Sequence, residues 1–166
     1  MSRPPRISGF SYIGPLAVFV TTTTRSRHRA FLADDNARFC VEQILRVTQD
    51  FQIELAAYCV MPDHVHFLLI SDSESTEVKT AIERWKQKTG YWYRQRTSQF
   101  LWQPGYWERV LRDEDDVMTV VRYIIANPLR AGLAEGLTAY PWLGSSRSSI
   151  QEVATSCQDC ERPAWW

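Results

Sequence analysis

The sequence predicts an α+β fold, a ferredoxin-like sandwich in which helices pack on one face of an antiparallel sheet of four to five strands. Three observations carry this expectation. Strand-sized apolar stretches and helix-sized amphipathic ones follow one another as strand, helix, strand, strand, helix, strand, helix. Only Met61, Pro62 and Asp63 separate the second and third strands, which makes them hairpin partners. With 166 residues, 45% of them hydrophobic, the chain has enough apolar side chain for one core and too little for two. Residues 1–143 therefore read as a single domain, and the serine-rich stretch from Gly144 to Ser149 as the start of a flexible tail, 144–166.

Leu16 to Thr24, apolar and then threonine-rich, suits the first strand, and the basic turn Arg25 to Arg29 follows it. Asp34 and Asp35 open a helix in which Phe39, Val41, Ile44, Leu45 and Val47 or Phe51 recur at three- and four-residue spacing. Ile53 to Val60 is the second strand. His64 to Ile70 is the third, with near-continuous apolar character. Ser73 to Thr76 offers caps for a second helix from about Glu77 to Arg96, with Val78, Ile82, Trp85 and Thr89 inward and Gly90 as a point of interruption. Tyr106 to Arg112 is the fourth strand. Asp113 to Asp116 caps a third helix carrying Val117, Val120, Val121, Ile124 and Ile125, which Pro128 is expected to stop.

Composition narrows the function classes. No apolar run approaches the roughly 20 residues of a membrane span, and Met1 to Gly9 is basic without an apolar stretch behind it, so a cytoplasmic protein is expected. Cys40, Cys59, Cys157 and Cys160 are too sparse for a disulfide framework and read as free thiols, with Cys157 and Cys160 as half of a zinc site the alternative. Net charge is zero, yet five arginines and no acid occupy Met1 to Ala30, and Lys79 to Arg96 holds three lysines and three arginines against Glu83 alone. Such segregation permits a basic face on a neutral protein. In that second stretch the cations interleave with Trp85, Tyr91, Trp92 and Tyr93, a mixture suited either to single-stranded nucleic acid or to a solvated helix face above buried aromatics.

Two pairs of residues carry chemistry. His64 and His66 flank Val65 at the mouth of the third strand, where alternation sends both imidazoles to one face, so that they can share a metal ion or simply be polar residues at a strand end. Tyr123 and Asn127, four apart, lie on one face of the third helix. A phenol and an amide there can meet one phosphate, or can be an amphipathic core residue and a helix cap.

The stretch YCVMPDHVHFLLI from Tyr58 to Ile70 resembles the hairpin and histidine-bearing strand of the single-tyrosine HUH transposases. Trp102 and Gln103, Gly105 to Glu108, Leu111 to Glu114, and Tyr123 and Ile124 with Asn127, Pro128, Gly132 and Leu133 resemble the branch associated with repetitive extragenic palindromes (REP). The resemblance runs from about Leu16 to Ser146. It implies a transposase that binds hairpin DNA with a flanking single strand, cleaves one strand through a 5′-phosphotyrosine and rejoins strands, acting as a monomer or homodimer at the bacterial nucleoid. Carried over, His64, His66 and Asn127 hold magnesium or manganese, and Tyr123, on the last helix, is the nucleophile. Many relatives have glutamine where this chain has Asn127. Arg25, Arg27, Lys86, Lys88, Arg94 and Arg112 are the expected DNA contacts. The alternatives are a protein of the same fold that binds hairpins without cutting, and a hydrolase in which the metal activates water and Tyr123 is structural.

Overall fold

A computed structural model describes residues 15–73, 76–112 and 117–156. The elements are β1 (Leu16–Thr23), α1 (Asp34–Asp50), β2 (Glu54–Met61), β3 (His64–Ser71), α2 (Val78–Thr97), β4 (Trp107–Leu111), α3 (Val117–Arg130), β5 (Leu143–Ser145) and α4 (Ile150–Ser156). The strands form one antiparallel sheet in the order β4-β1-β3-β2-β5, with β3 at its centre. The α+β class and the antiparallel sheet are as the sequence predicts. Among the described residues no helix is long and apolar enough to cross a membrane.

Helices cover both faces of the sheet, not one. Val18, Val20, Val60, Val65, Phe67 and Leu69 pack with Ala37, Cys40, Ile44 and Val47 of α1 and Val78, Ile82 and Trp85 of α2. Phe19, Cys59, Met61 and Leu68 pack with Val120, Val121, Tyr123, Ile124 and Ile125 of α3. Because strand side chains alternate, two cores on opposite faces demand an apolar residue at every position, which is why β3 reads as an unbroken apolar run. Leu45 of α1, placed inward from the sequence, is 49% exposed.

Three expected helix boundaries move. The N-cap of α2 is Glu77, with no side-chain cap bond, rather than a residue of Ser73 to Thr76; Glu74 and Ser75 lie outside the described residues. Gly90 does not interrupt α2. A Cβ there would stand 3.4 Å from the Trp102 ring, whose indole N–H donates to Thr89 Oγ1 at 2.9 Å, so the glycine lets Trp102 lie close against the helix. Pro128 does not stop α3, which continues to Arg130. Proline has no N–H for the carbonyl of Ile124, and the Asn127 side-chain amide partly compensates, donating to Tyr123 O at 2.7 Å and Ile124 O at 3.5 Å. The true stop is Gly132 at φ +65°, where Gly132 N–H donates to Leu129 O and Leu133 N–H to Pro128 O, a Schellman ending that only a residue tolerant of left-handed backbone accepts readily.

The described part of the stretch expected as a tail, residues 144–156, includes a strand and a helix. Leu143–Ser145 adds a fifth strand beside β2, pairing Tyr58 with Gly144, and α4 follows. Side-chain bonds help to hold this segment: Ser145 Oγ donates to Ala56 O at 2.7 Å, Arg147 Nε donates to Glu54 Oε1 at 2.7 Å, and Tyr140 Oη donates to Val60 O at 2.7 Å. Tyr123 consequently lies on α3, with α4 after it rather than on the last helix. The Asp113 to Asp116 cap and the Cys157, Cys160, Trp165 and Trp166 tail lie outside the described residues.

Candidate active site

Val65, Phe67 and Leu69 point from β3 into the α1–α2 core, so alternation sends His64 and His66 to the opposite face, toward α3. There His66 meets Phe19 at 5.6 Å and Tyr123 at 5.9 Å between ring centroids, and Tyr123 meets Phe19 edge-on at 6.0 Å. The sheet register builds the surroundings. Thr21 of β1 and Cys59 of β2 stand opposite His66, while Thr23 and Met61 stand opposite His64. His66 and Tyr123 are nearly fully buried, at 2% and 4% exposure.

Each imidazole is held from behind. His64 Nδ1–H donates to Asp63 Oδ1 at 2.6 Å, and His66 Nδ1 and Thr21 Oγ1 form a hydrogen bond of 2.8 Å. These bonds turn the two Nε2 atoms toward one another at 3.1 Å. A carboxylate only accepts, so His64 Nδ1 carries a proton, and in the neutral imidazole Nε2 is left with a lone pair. When His66 likewise donates to Thr21, two lone pairs face each other, an arrangement able to accept a shared cation. Two donors 3.1 Å apart, each about 2.1 Å from one ion, subtend about 95°, adjacent corners of an octahedron. The residues present fit a divalent cation, with both Nδ1 atoms secured in the manner that orients metal-binding histidines. Among the described residues no group of three or more His, Cys, Asp or Glu that could hold a metal ion is found.

Electrostatics agree with that use. Burial, reinforced by the charge of His64, pushes the His66 imidazole well below its usual range, so it is neutral at pH 7 and able to ligate. Burial opposes ionisation of Asp63, but the hydrogen bond and charge of His64 and the charge of Arg27 outweigh it and hold the carboxyl below its usual range. Arg27 Nη1 reaches Asp63 Oδ2 at 3.1 Å. Over Tyr123 lies the Arg130 guanidinium, 5.1 Å from the ring centroid.

Of the residues expected from sequence, the fold gathers His64, His66 and Tyr123 on one face and ties the Asn127 amide to the Tyr123 backbone one turn away. The expected DNA contacts divide. Arg25 and Arg27 lie in the turn that follows β1 at the His64 end of the sheet, and Arg94 and Lys88 are exposed on α2. The Lys86 ammonium holds the loop before β4, donating to the carbonyls of Gln103 and Gly105 beside the Trp102 and Tyr106 rings. Arg112 follows β4 at the opposite end of the sheet, since Leu111 pairs with Ala17 while His64 pairs with Thr23. Those six residues of β1 span roughly 20 Å. Sequence reasoning missed Asp63, Thr21 and Arg130. Asp63 was legible as a carboxylate adjoining His64, and Arg130 as a cation two helical turns beyond Tyr123. Thr21 becomes visible only through the register.

The profile of the family described as Transposase IS200 like matches residues 16–127, which include all four residues expected to do chemistry. The REP-associated tyrosine transposase of Escherichia coli K12 is 25% identical over 124 residues, covering 75% of this chain and 73% of the relative. A Haemophilus influenzae relative provisionally given the same name is 24% identical over 148 residues, 81% of this chain and 82% of its own. The solved structure of a REP-associated tyrosine transposase bound to a REP hairpin superposes with a TM-score of 0.69 at 24% identity, covering 86% of this chain and 82% of that one, and so shares the fold. This chain belongs to the IS200-like transposase family.

Proposed function

We propose that this protein binds a DNA hairpin with a flanking single strand, cleaves one strand through a covalent 5′-phosphotyrosine on Tyr123, and rejoins strands by the reverse reaction. The observation that carries this reading is the meeting of His64, His66 and Tyr123 on one face of the sheet, with the His66 and Tyr123 rings 5.9 Å apart. The family membership and the hairpin in the REP-associated relative's structure support the substrate class.

In this reading His64 and His66 hold a divalent cation, magnesium or manganese, and the side-chain oxygen of Asn127, outside the two bonds made by its nitrogen, is a further donor. Such a cation, when bound, neutralises phosphate charge and aligns the phosphate for in-line attack. Asp63 and Thr21 keep the imidazoles oriented. The Tyr123 hydroxyl attacks phosphorus as its proton passes to solvent, with the Arg130 guanidinium lying over the ring. The new Oη–P bond forms while the P–O3′ bond breaks, and the departing 3′ oxygen takes a proton from solvent. Attack by another 3′-hydroxyl releases Tyr123 and joins the strands. Since a phenolate leaves more easily than an alkoxide, the intermediate favours transfer.

The test is incubation of an end-labelled hairpin bearing a single-stranded flank with the protein and manganese. We expect one discrete cut, lost on chelation and in His66→Ala. A hairpin that is bound but never cut, with either metal, would leave a binding protein; cutting that survives chelation would overturn the metal site.

A further inference from the structure

Phe100 is 56% exposed, yet two guanidinium groups attend its ring: Arg25 at 5.3 Å and Arg94 at 4.7 Å from the centroid. Its successors Leu101 and Trp102 are buried and anchor the loop, so the ring stands in solvent on a fixed base. Among the described residues neither Arg25 nor Arg94 has a carboxylate partner, whereas Arg27 pairs with Asp63 and Arg96 with Asp35. Trp92 of α2, a cation-capped aromatic as well, is differently placed: beneath Arg96, it is stacked on Phe39 at 4.4 Å and 10° and is thereby occupied.

We infer that Phe100, with Arg25 and Arg94, is a docking platform for an unpaired base of single-stranded DNA, the guanidinium groups taking the neighbouring phosphates; this rests on the reading of the chain as a binder of hairpins with a single-stranded flank. An exposed aromatic ring beside unpaired cations complements an unstacked base on a polyanionic backbone, while a duplex offers only base edges and phosphates. Placement narrows the occupant further. Arg25 N–H donates to Leu101 O at 2.8 Å, Thr24 bridges Trp102, and Thr23 pairs with His64, so the platform extends the sheet at the end where the histidines stand. From Thr23 to Arg25 is roughly 7 Å of extended chain. The occupant is therefore the single-stranded flank next to the phosphate at the histidine pair, not the hairpin stem.

The experiment measures affinity by fluorescence anisotropy at fixed salt for three labelled probes: a blunt hairpin, the same hairpin with a single-stranded flank, and the flank alone. Wild type, Phe100→Ala and Phe100→Trp are compared, with circular dichroism to confirm that each is folded. We expect Phe100→Ala to weaken the flanked hairpin and the flank alone by about five- to a hundredfold, the range for loss of a base-stacking aromatic, with blunt-hairpin affinity unchanged and Phe100→Trp close to wild type. Equal affinities of wild type and Phe100→Ala for the flanked probes would overturn the platform and leave the hairpin reading intact, as would an equal loss on blunt and flanked hairpins. A wild type that ignores blunt hairpins but binds the flank through Phe100 would overturn the hairpin reading and support the platform. Binding of none of the three would overturn both.

Discussion

The side-chain amide of Asn127 donates to the main-chain carbonyl of Tyr123 at 2.7 Å, so one residue both braces the helix around Pro128 and stands one turn from the proposed nucleophile. The brace and the proposed ligand use different atoms, Nδ2 and Oδ1, and two substitutions separate them. Asn127→Ala removes both; Asn127→Asp removes the donor and supplies a harder oxygen. We expect both to lower the melting temperature, by about 0.5–2 kcal/mol of stability, as for loss of a buried hydrogen bond or cap. Asn127→Ala should also raise the manganese concentration needed for half-maximal cleavage, while Asn127→Asp should not. A manganese midpoint unchanged in Asn127→Ala would leave the residue a brace only.

The histidine pair predicts metal-dependent stability. Manganese at a hundred times its dissociation constant should stabilise the wild type by about 2.7 kcal/mol, read as a rise in melting temperature that disappears in His64→Ala and His66→Ala. Asp63→Asn, which weakens the acceptor behind His64 Nδ1, should reduce metal affinity by about 10–100-fold, with cleavage recovered at high manganese. Identical metal-induced shifts in wild type and His66→Ala would contradict the site.

Burial and the charge of His64 hold the folded-state pKa of His66 below its unfolded value. As pH falls, the unfolded chain therefore takes up this proton first. The contribution of His66 to stability is complete above about pH 6.5 and is lost as pH falls through the folded-state value. Without added metal, the melting temperature should drop between pH 7 and pH 5, and more gently in His66→Gln than in wild type. Parallel slopes would show that His66 titrates alike in both states.

Element order and the histidine strand were legible because they rest on local periodicity: β3 read as a near-continuous apolar strand, and His-x-His placed both rings on one face. What α3 does was less legible. Proline at 128 signals a stop, and only the Asn127 side chain and Gly132 explain why the helix runs on to Arg130. The placement of α3 on the face opposite α1 and α2 is a tertiary outcome, and it is what brings Tyr123 to His66. Thr21 reaches His66 from 45 residues away through strand register, which no local pattern encodes. The fifth strand escaped notice because Leu143–Ser145 is short and serine-rich, and its hold on β2 comes from Ser145, Arg147 and Tyr140 rather than from an apolar run.

That fifth strand can be tested at Gly144. A Cβ there would fall 2.7 Å from the ring of Tyr58, its cross-strand partner. Gly144→Ala should destabilise the protein by about 1–3 kcal/mol, the usual cost of overpacking. It should also speed hydrogen exchange at the amides of Val60 and Ser146, which bond Trp142 O and Ala56 O. Unchanged exchange at both would mean that β5 does not depend on this close approach.

The proposed reaction leaves Tyr123 covalently attached to DNA. It is tested most directly by incubating the protein and manganese with a flanked hairpin whose label lies on the 5′-phosphate side of the cut, then separating the products under denaturing conditions and mapping the labelled peptide by mass spectrometry. We expect a protein–DNA adduct on the peptide containing Tyr123, absent in Tyr123→Phe although that variant folds and binds hairpin as the wild type does. Cleavage without an adduct, or an adduct that persists in Tyr123→Phe, would contradict it.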